Sequence, residues 1–178
     1  HDVTLLSFYD PKEPAPDPSM QYPFCSHVRL VPWKAFDPGS RKAALGFFSQ
    51  RPRSITDTYS VEMETLISEL VSGGSIDVIV ASQLTMASYY PAFGKVPAIF
   101  DEIELGLFVD QAYQSDHWMT SLRRRLTWLK LRSYISSLLD SYAACTVVSE
   151  PERANFVKHL PRHAHKVAVL QNCVSVED

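Results

Sequence analysis

The sequence predicts an α/β fold, a doubly wound parallel sheet with helices on both faces. Three observations predict it. Short apolar and β-rich runs, Asp77–Ala81, Val96–Phe100, Cys145–Val148 and Val167–Leu170, alternate with helical stretches. The closing segment reads strand–helix–strand, with Ser149-Glu-Pro-Glu opening the helix between. Polar residues stand where the runs end: Gln83, Asp101-Glu102, Ser149-Glu150 and Gln171-Asn172. In open parallel sheets ligands bind beyond the carboxyl ends of the strands, so these endings supply the first candidate site residues.

The elements follow in order. Val3–Phe8 is a strand that runs into a loop, because Pro11, Pro14, Pro16 and Pro18 exclude helix and sheet. His27–Val31 alternates as a strand does, within Cys25–Pro32. Ser40 is placed to cap a short helix over 41–48, and Arg51–Asp57 reads as a basic loop. Ser60 caps a second helix with Val61, Met63, Leu66, Ile67, Leu70 and Val71 on its apolar stripe, ended by Gly73-Gly74. Asp77–Ala81 is apolar on both faces, as in a strand covered on both sides. A short helix over 83–90 stops at Pro91.

A long amphipathic helix follows over 116–142. Its stripe is Trp118, Leu122, Leu126, Leu129, Tyr134, Leu138, Leu139 and Tyr142, mostly three or four apart. Trp118 and Trp128 are expected in the core. Arg123, Arg124, Arg125, Lys130 and Arg132 decorate the helix. They are read first as the solvated cations of a core-packed helix, with contact to anionic lipid as the alternative. Ser149 then serves as N-cap with Pro151 behind it.

Composition narrows the class. At 178 residues and 46% hydrophobic, the chain can build one domain with a real core. A net charge of -3 argues against general nucleic-acid binding. Cys25, Cys145 and Cys173 are odd in number and form no CxxC pair. Cys145 falls in a buried strand, so reduced thiols and a cytoplasmic setting are expected. No apolar run approaches the ~20 residues that span a bilayer. No GxGxxG, GxxxxGK[ST] or GxSxG pattern occurs, which leaves nicotinamide, P-loop and nucleophile-elbow readings without their loops. His159, His163 and His165 lie close together, but Pro161 interrupts them and no further ligand is near, so neither metal nor cofactor is expected. The chain opens straight into a strand from His1-Asp2, which reads as a piece of a larger protein.

Several stretches resemble the N-terminal domain of retaining GT-B glycosyltransferases of family 4, within it the bacterial exopolysaccharide-type sugar transferases. They are Val3–Phe8, Ser60–Met63, Asp77–Val80 with Gln83–Ala87, Ala98–Asp101, Ala144–Glu150 and Val169–Asn172. The resemblance implies a Rossmann-like acceptor-side domain over 1–172, with 173–178 beginning a linker to a second domain. It implies sugar transfer from a nucleotide-sugar to a glycan or lipid-linked acceptor, with retention, at the cytoplasmic face of the inner membrane. The family's first strand and Gly-rich turn have no counterpart, and Cys173 stands where a glycine is usual. A fragment inactive alone is therefore expected. Without that central strand, the strands at Val3 and Val28 must pair with the Asp77 strand, pair with another chain through an exposed edge, or detach.

The candidate cleft residues are Gln83, Met86, Asp101, Glu102, Glu104, Ser149, Glu150 and Asn172. Carboxylates such as Asp101, Glu102 and Glu104 accept hydrogen bonds from sugar hydroxyls, although a solvated acidic loop explains them too. Gln83 and Met86 sit at a cleft edge or simply cap and pack. Capping accounts for Ser149 and Glu150, while a helix N-terminus also favours an anionic group. Asn172 faces the cleft or closes a turn. The histidine that many relatives carry near Asp101 is missing here, so no catalytic residue is assigned. The rival to a transferase is a non-catalytic binding or interaction module of receiver or flavodoxin type.

Overall fold

The computed structural model describes residues 1–14, 17, 22–113 and 118–171. It is an α/β fold with parallel sheets, consistent with a Rossmann-like architecture. β1 (Thr4–Tyr9) and β2 (His27–Pro32) pair in register, from Thr4 opposite His27 to Tyr9 opposite Pro32. β3 (Ile79–Ser82), β4 (Ala98–Asp101), β5 (Ala144–Val147) and β6 (Val167–Val169) form a four-stranded sheet in that order. All pairings among the described residues are parallel, and within the four-stranded sheet helices make the crossovers between successive strands. The Val3 and Val28 strands do not pair with the Asp77 strand; they pair with each other in a two-stranded sheet of their own.

The helices are α1 (Arg41–Leu45), α2 (Arg53–Thr58), α3 (Val61–Ser72), α4 (Gln83–Ala87), α5 (Gly106–Tyr113), α6 (Trp118–Ser141) and α7 (Glu150–His159). Ser40, Ser60 and Ser149 are N-caps, accepting from the backbone N–H of Ala43, Met63 and Glu152. Two elements differ from expectation. Arg51–Asp57 is not a loop throughout, since α2 begins after Pro52. α5 lies in a stretch with no assigned element.

The expected double cover of the Asp77–Ala81 run is also corrected. β3 is an edge strand, and Val78 and Val80 are 52% and 58% exposed. The reason lies in the side-chain alternation. Ala81, Ala98, Phe100, Cys145, Val147 and Val167 share the buried face. Val80, Ser82, Ile99, Asp101, Ala144, Thr146 and Ala168 share the other, where none is buried.

One core unites the helices with the buried face. Tyr89, Phe100, Leu105, Leu138, Leu139, Tyr142 and Phe156 are among its best-buried members. Two buried hydroxyls are satisfied, Tyr142 Oη donating to Ala87 O at 2.9 Å and Tyr89 Oη accepting from Ser60 N at 2.9 Å, whereas buried Tyr134 Oη has no hydrogen-bond partner among the described residues. Lys166 Nζ donates to Leu139 O and Tyr142 O at 2.6 and 2.7 Å. A cation thus meets the carbonyl end of α6, where the helix dipole favours it, and the end of α6 is tied to the start of β6.

A second latch holds the β2–α2 region. Asp57 is fully buried and accepts from Ser40 Oγ, from Asp37 N at 2.9 Å and from Lys34 Nζ at 2.9 Å. These donors, Ser40 foremost, pull its carboxyl down to about 2.

Candidate functional site

The carboxyl ends of β3, β4 and β5 converge on one carboxylate. Ser82 Oγ donates to Asp101 Oδ2 at 2.9 Å, and Thr146 Oγ1 donates to Asp101 Oδ1. Strand register explains the meeting. Ser82 lies opposite Asp101, and Phe100 lies opposite Cys145, which brings Thr146 alongside Asp101 on the open face. Each carboxylate oxygen carries two lone pairs, so Asp101 keeps capacity to accept from a ligand hydroxyl.

The chain leaves two of these strands in an unusual way. Gln83 follows β3 with φ of 63°, and Glu102 follows β4 with φ of 56°. Among the described residues they are the two non-glycine residues with positive φ, a conformation that costs about 1–2 kcal/mol with a Cβ present. Such strain gathers at functional sites. The turn after β4 is held from both sides. Glu102 N donates to Thr146 Oγ1 at 3.2 Å and Ile103 N to Thr146 O at 3.0 Å. Glu152 Oε2, in the first turn of α7, accepts from Leu105 N and Gly106 N at 3.1 and 3.2 Å. A Cβ on Gly106 would come within 2.3 Å of Glu152 Oε1, so a side chain there would push the Glu152 carboxylate aside.

Of the residues expected at a cleft, Gln83, Asp101 and Glu102 fall in this cluster. Glu104 is exposed on the same turn. Met86 packs against the core. Ser149 spends its side chain on the cap, and Glu150 is exposed and pairs with Arg153 at 3.5 Å. Asn172 lies outside the described residues. Ser82, Thr146 and Glu152 were not expected. In sequence, Ser82 and Thr146 are ordinary members of β-rich runs, and only register reveals that both meet Asp101. Glu152 reads as a helix-start acid and gives no sign of its distant backbone partners.

Other constellations do less. His163 is buried and its Nε2 lies 3.0 Å from Ser136 Oγ, but Asp140 Oδ1 approaches the same nitrogen at 3.9 Å. A nucleophile relay needs the acid at the opposite ring nitrogen. Burial pushes the His163 pKa down, ahead of the opposing pull of Asp140. His159 stands edge-on to Trp128 at 5.3 Å, and His165 is exposed. Among the described residues no group of three or more His, Cys, Asp or Glu is placed to hold a metal ion. Two surface concavities lie elsewhere, one of about 660 Å³ along Glu64–Gly73 and one of about 450 Å³ between α6 and the end of α7. The strand-end cluster differs from both in joining a carboxylate, two hydroxyls and two left-handed residues in one place.

No model of a known family matches this chain, and no curated protein matches it.

Proposed function

We propose that the chain is the acceptor-side part of a retaining GT-B glycosyltransferase, moving a sugar from a nucleotide-sugar to a glycan or lipid-linked acceptor. The observation that supports this reading is the strand-end cluster of Asp101, Ser82 and Thr146, flanked by left-handed Gln83 and Glu102. Sugars are recognised through directional hydrogen bonds to their hydroxyls. A carboxylate held by two neighbouring hydroxyls presents its remaining lone pairs in a fixed direction. Exposed Ser82 and Gln83 supply further polar groups on the same rim.

In this role Asp101 binds and orients an acceptor hydroxyl, and Thr146 and Ser82 hold Asp101. The donor nucleotide would be held by a second domain, and the reaction would proceed at the cytoplasmic face of a membrane. No helix among the described residues is long and apolar enough to cross one.

The test is nucleotide-sugar turnover by the full-length protein, with this chain alone as the control. Asp101→Asn should raise the acceptor KM by about ten- to a hundredfold and leave the donor KM unchanged, the loss of one charged hydrogen bond being about 1.5–3 kcal/mol. An unchanged acceptor KM overturns the role of Asp101. Absence of turnover and of sugar binding in the full-length protein favours the non-catalytic module.

A further inference from the structure

α6 carries two apolar faces, not one. Trp128, Leu131, Ile135, Leu138 and Leu139 are buried. Trp118, Met119, Leu122, Leu126 and Leu129 are 74%, 67%, 51%, 57% and 50% exposed. At about 100° per residue, the exposed set spans roughly a quarter of the helix circumference and lies opposite the buried set. The same rotation puts Arg125 and Arg132 along one flank of the exposed stripe, and Arg123 and Lys130 along the other.

A neighbouring segment extends this surface. Lys130 Nζ donates to Gly46 O, which brings the turn after α1 beside α6. That turn exposes Leu45, Phe47 and Phe48 at 68%, 64% and 94%. Arg53 lies over the Phe47 ring at 3.9 Å.

Charge decides what can cover it. The stretches 38–56 and 117–139 hold Arg41, Lys42, Arg51, Arg53, Arg123, Arg124, Arg125, Lys130 and Arg132, and none of the chain's 20 Asp and Glu. More than half of its 17 Lys and Arg therefore lie in these two stretches, in a protein of net charge -3. Arg123, Arg125 and Arg132 flank the exposed stripe, while Arg124 falls on the buried side and Lys130 Nζ is bound to Gly46 O. Aliphatic and aromatic side chains bordered by cations match the boundary of an anionic bilayer. There the apolar tips enter the acyl region and the cations meet phosphate. Nucleic acid would use the cations and aromatic rings but has no place for the row of leucines.

We infer that the first half of α6 and the 45–48 turn form a docking surface for an anionic phospholipid bilayer. The inference is independent of sugar transfer. The experiment is co-sedimentation of the protein with vesicles of phosphatidylcholine alone and of an equimolar phosphatidylcholine–phosphatidylglycerol mixture. Binding to the mixed vesicles alone, weakened by salt, is the expected result. The double variant Phe48→Ser, Leu126→Ser should bind the mixed vesicles at least about tenfold more weakly, through lost apolar insertion. Arg123→Glu should weaken binding and flatten its salt dependence. Both changes fall on exposed positions, and circular dichroism checks that the fold is kept. Equal binding to both vesicle types, or to neither, overturns the inference. So does binding of single-stranded RNA in place of vesicles, or full binding by the double variant.

Discussion

Replacing Glu102 by glycine asks how much strain the turn after β4 holds. Its φ of 56° costs about 1–2 kcal/mol for a residue with a Cβ. Glycine removes that cost, but its greater freedom when unfolded gives back about 0.5–1 kcal/mol. The one hydrogen bond made by Glu102 in the turn, from its N–H to Thr146 Oγ1, is a backbone bond and survives the change. The net expectation is a gain of about 0.5–1 kcal/mol. For a chain of this size that raises Tm by about 1–4 °C. Thermal denaturation followed by circular dichroism measures it. Glu102→Ala is the control, since it keeps the Cβ and should gain nothing. A fall in Tm for Glu102→Gly would refute the strain reading, because it would mean the Glu102 side chain holds the turn in place.

Glu152→Ala leaves Leu105 N and Gly106 N without their acceptor and should cost about 1–3 kcal/mol in urea denaturation. Leu139→Ala removes a fully buried side chain and should cost about 2–5 kcal/mol in the same assay. Asp57 has a folded pKa of about 2, below its unfolded value near 3.9, so its contribution is present above pH ~4 and lost as pH falls toward 2. Asp57→Asn should therefore be less stable at pH 7, and its stability should depend less on pH between 4 and 2. Cys145 is buried, and its thiol is pushed up to about 12. Peptide mass spectrometry after alkylation at pH 8 should find it unmodified until denaturant is added, with the more accessible Cys25 labelled first.

The parallel strands were legible because their residues are β-branched and end at polar positions. The caps at Ser40, Ser60 and Ser149 were legible because capping is local chemistry. What sequence concealed depends on distant partners. α2 reads as a basic loop because Arg51, Pro52 and Arg53 dominate it. Its role emerges only when Asp57 meets Lys34, Asp37 and Ser40. The α6 stripe merges two faces because spacings of three and four persist along the helix, and rotation separates them only over its full length. Trp118 illustrates the consequence: expected in the core, it is 74% exposed, while Trp128 is buried as expected. At the site, Asp101 and Glu102 stand out as acids ending a strand. Ser82 and Thr146 do not, since a hydroxyl in a strand is unremarkable until register sets it beside a carboxylate.

The tie between Lys166 and the last carbonyls of α6 fixes which end of the molecule does what. It places the end of α6 at the amino end of β6, so the helix runs back past the strands toward their carboxyl ends. A 24-residue helix is about 36 Å long, whereas a four-residue strand covers about 13 Å. The excess, roughly 20 Å, carries the helix beyond the carboxyl ends of the strands, on the face opposite the side chains of Asp101, Ser82 and Thr146. The overhanging part is the half that carries Trp118, Leu122 and Leu126. A bilayer seated there would lie on the helix-covered side of the sheet, away from the open face that carries the Asp101 side chain.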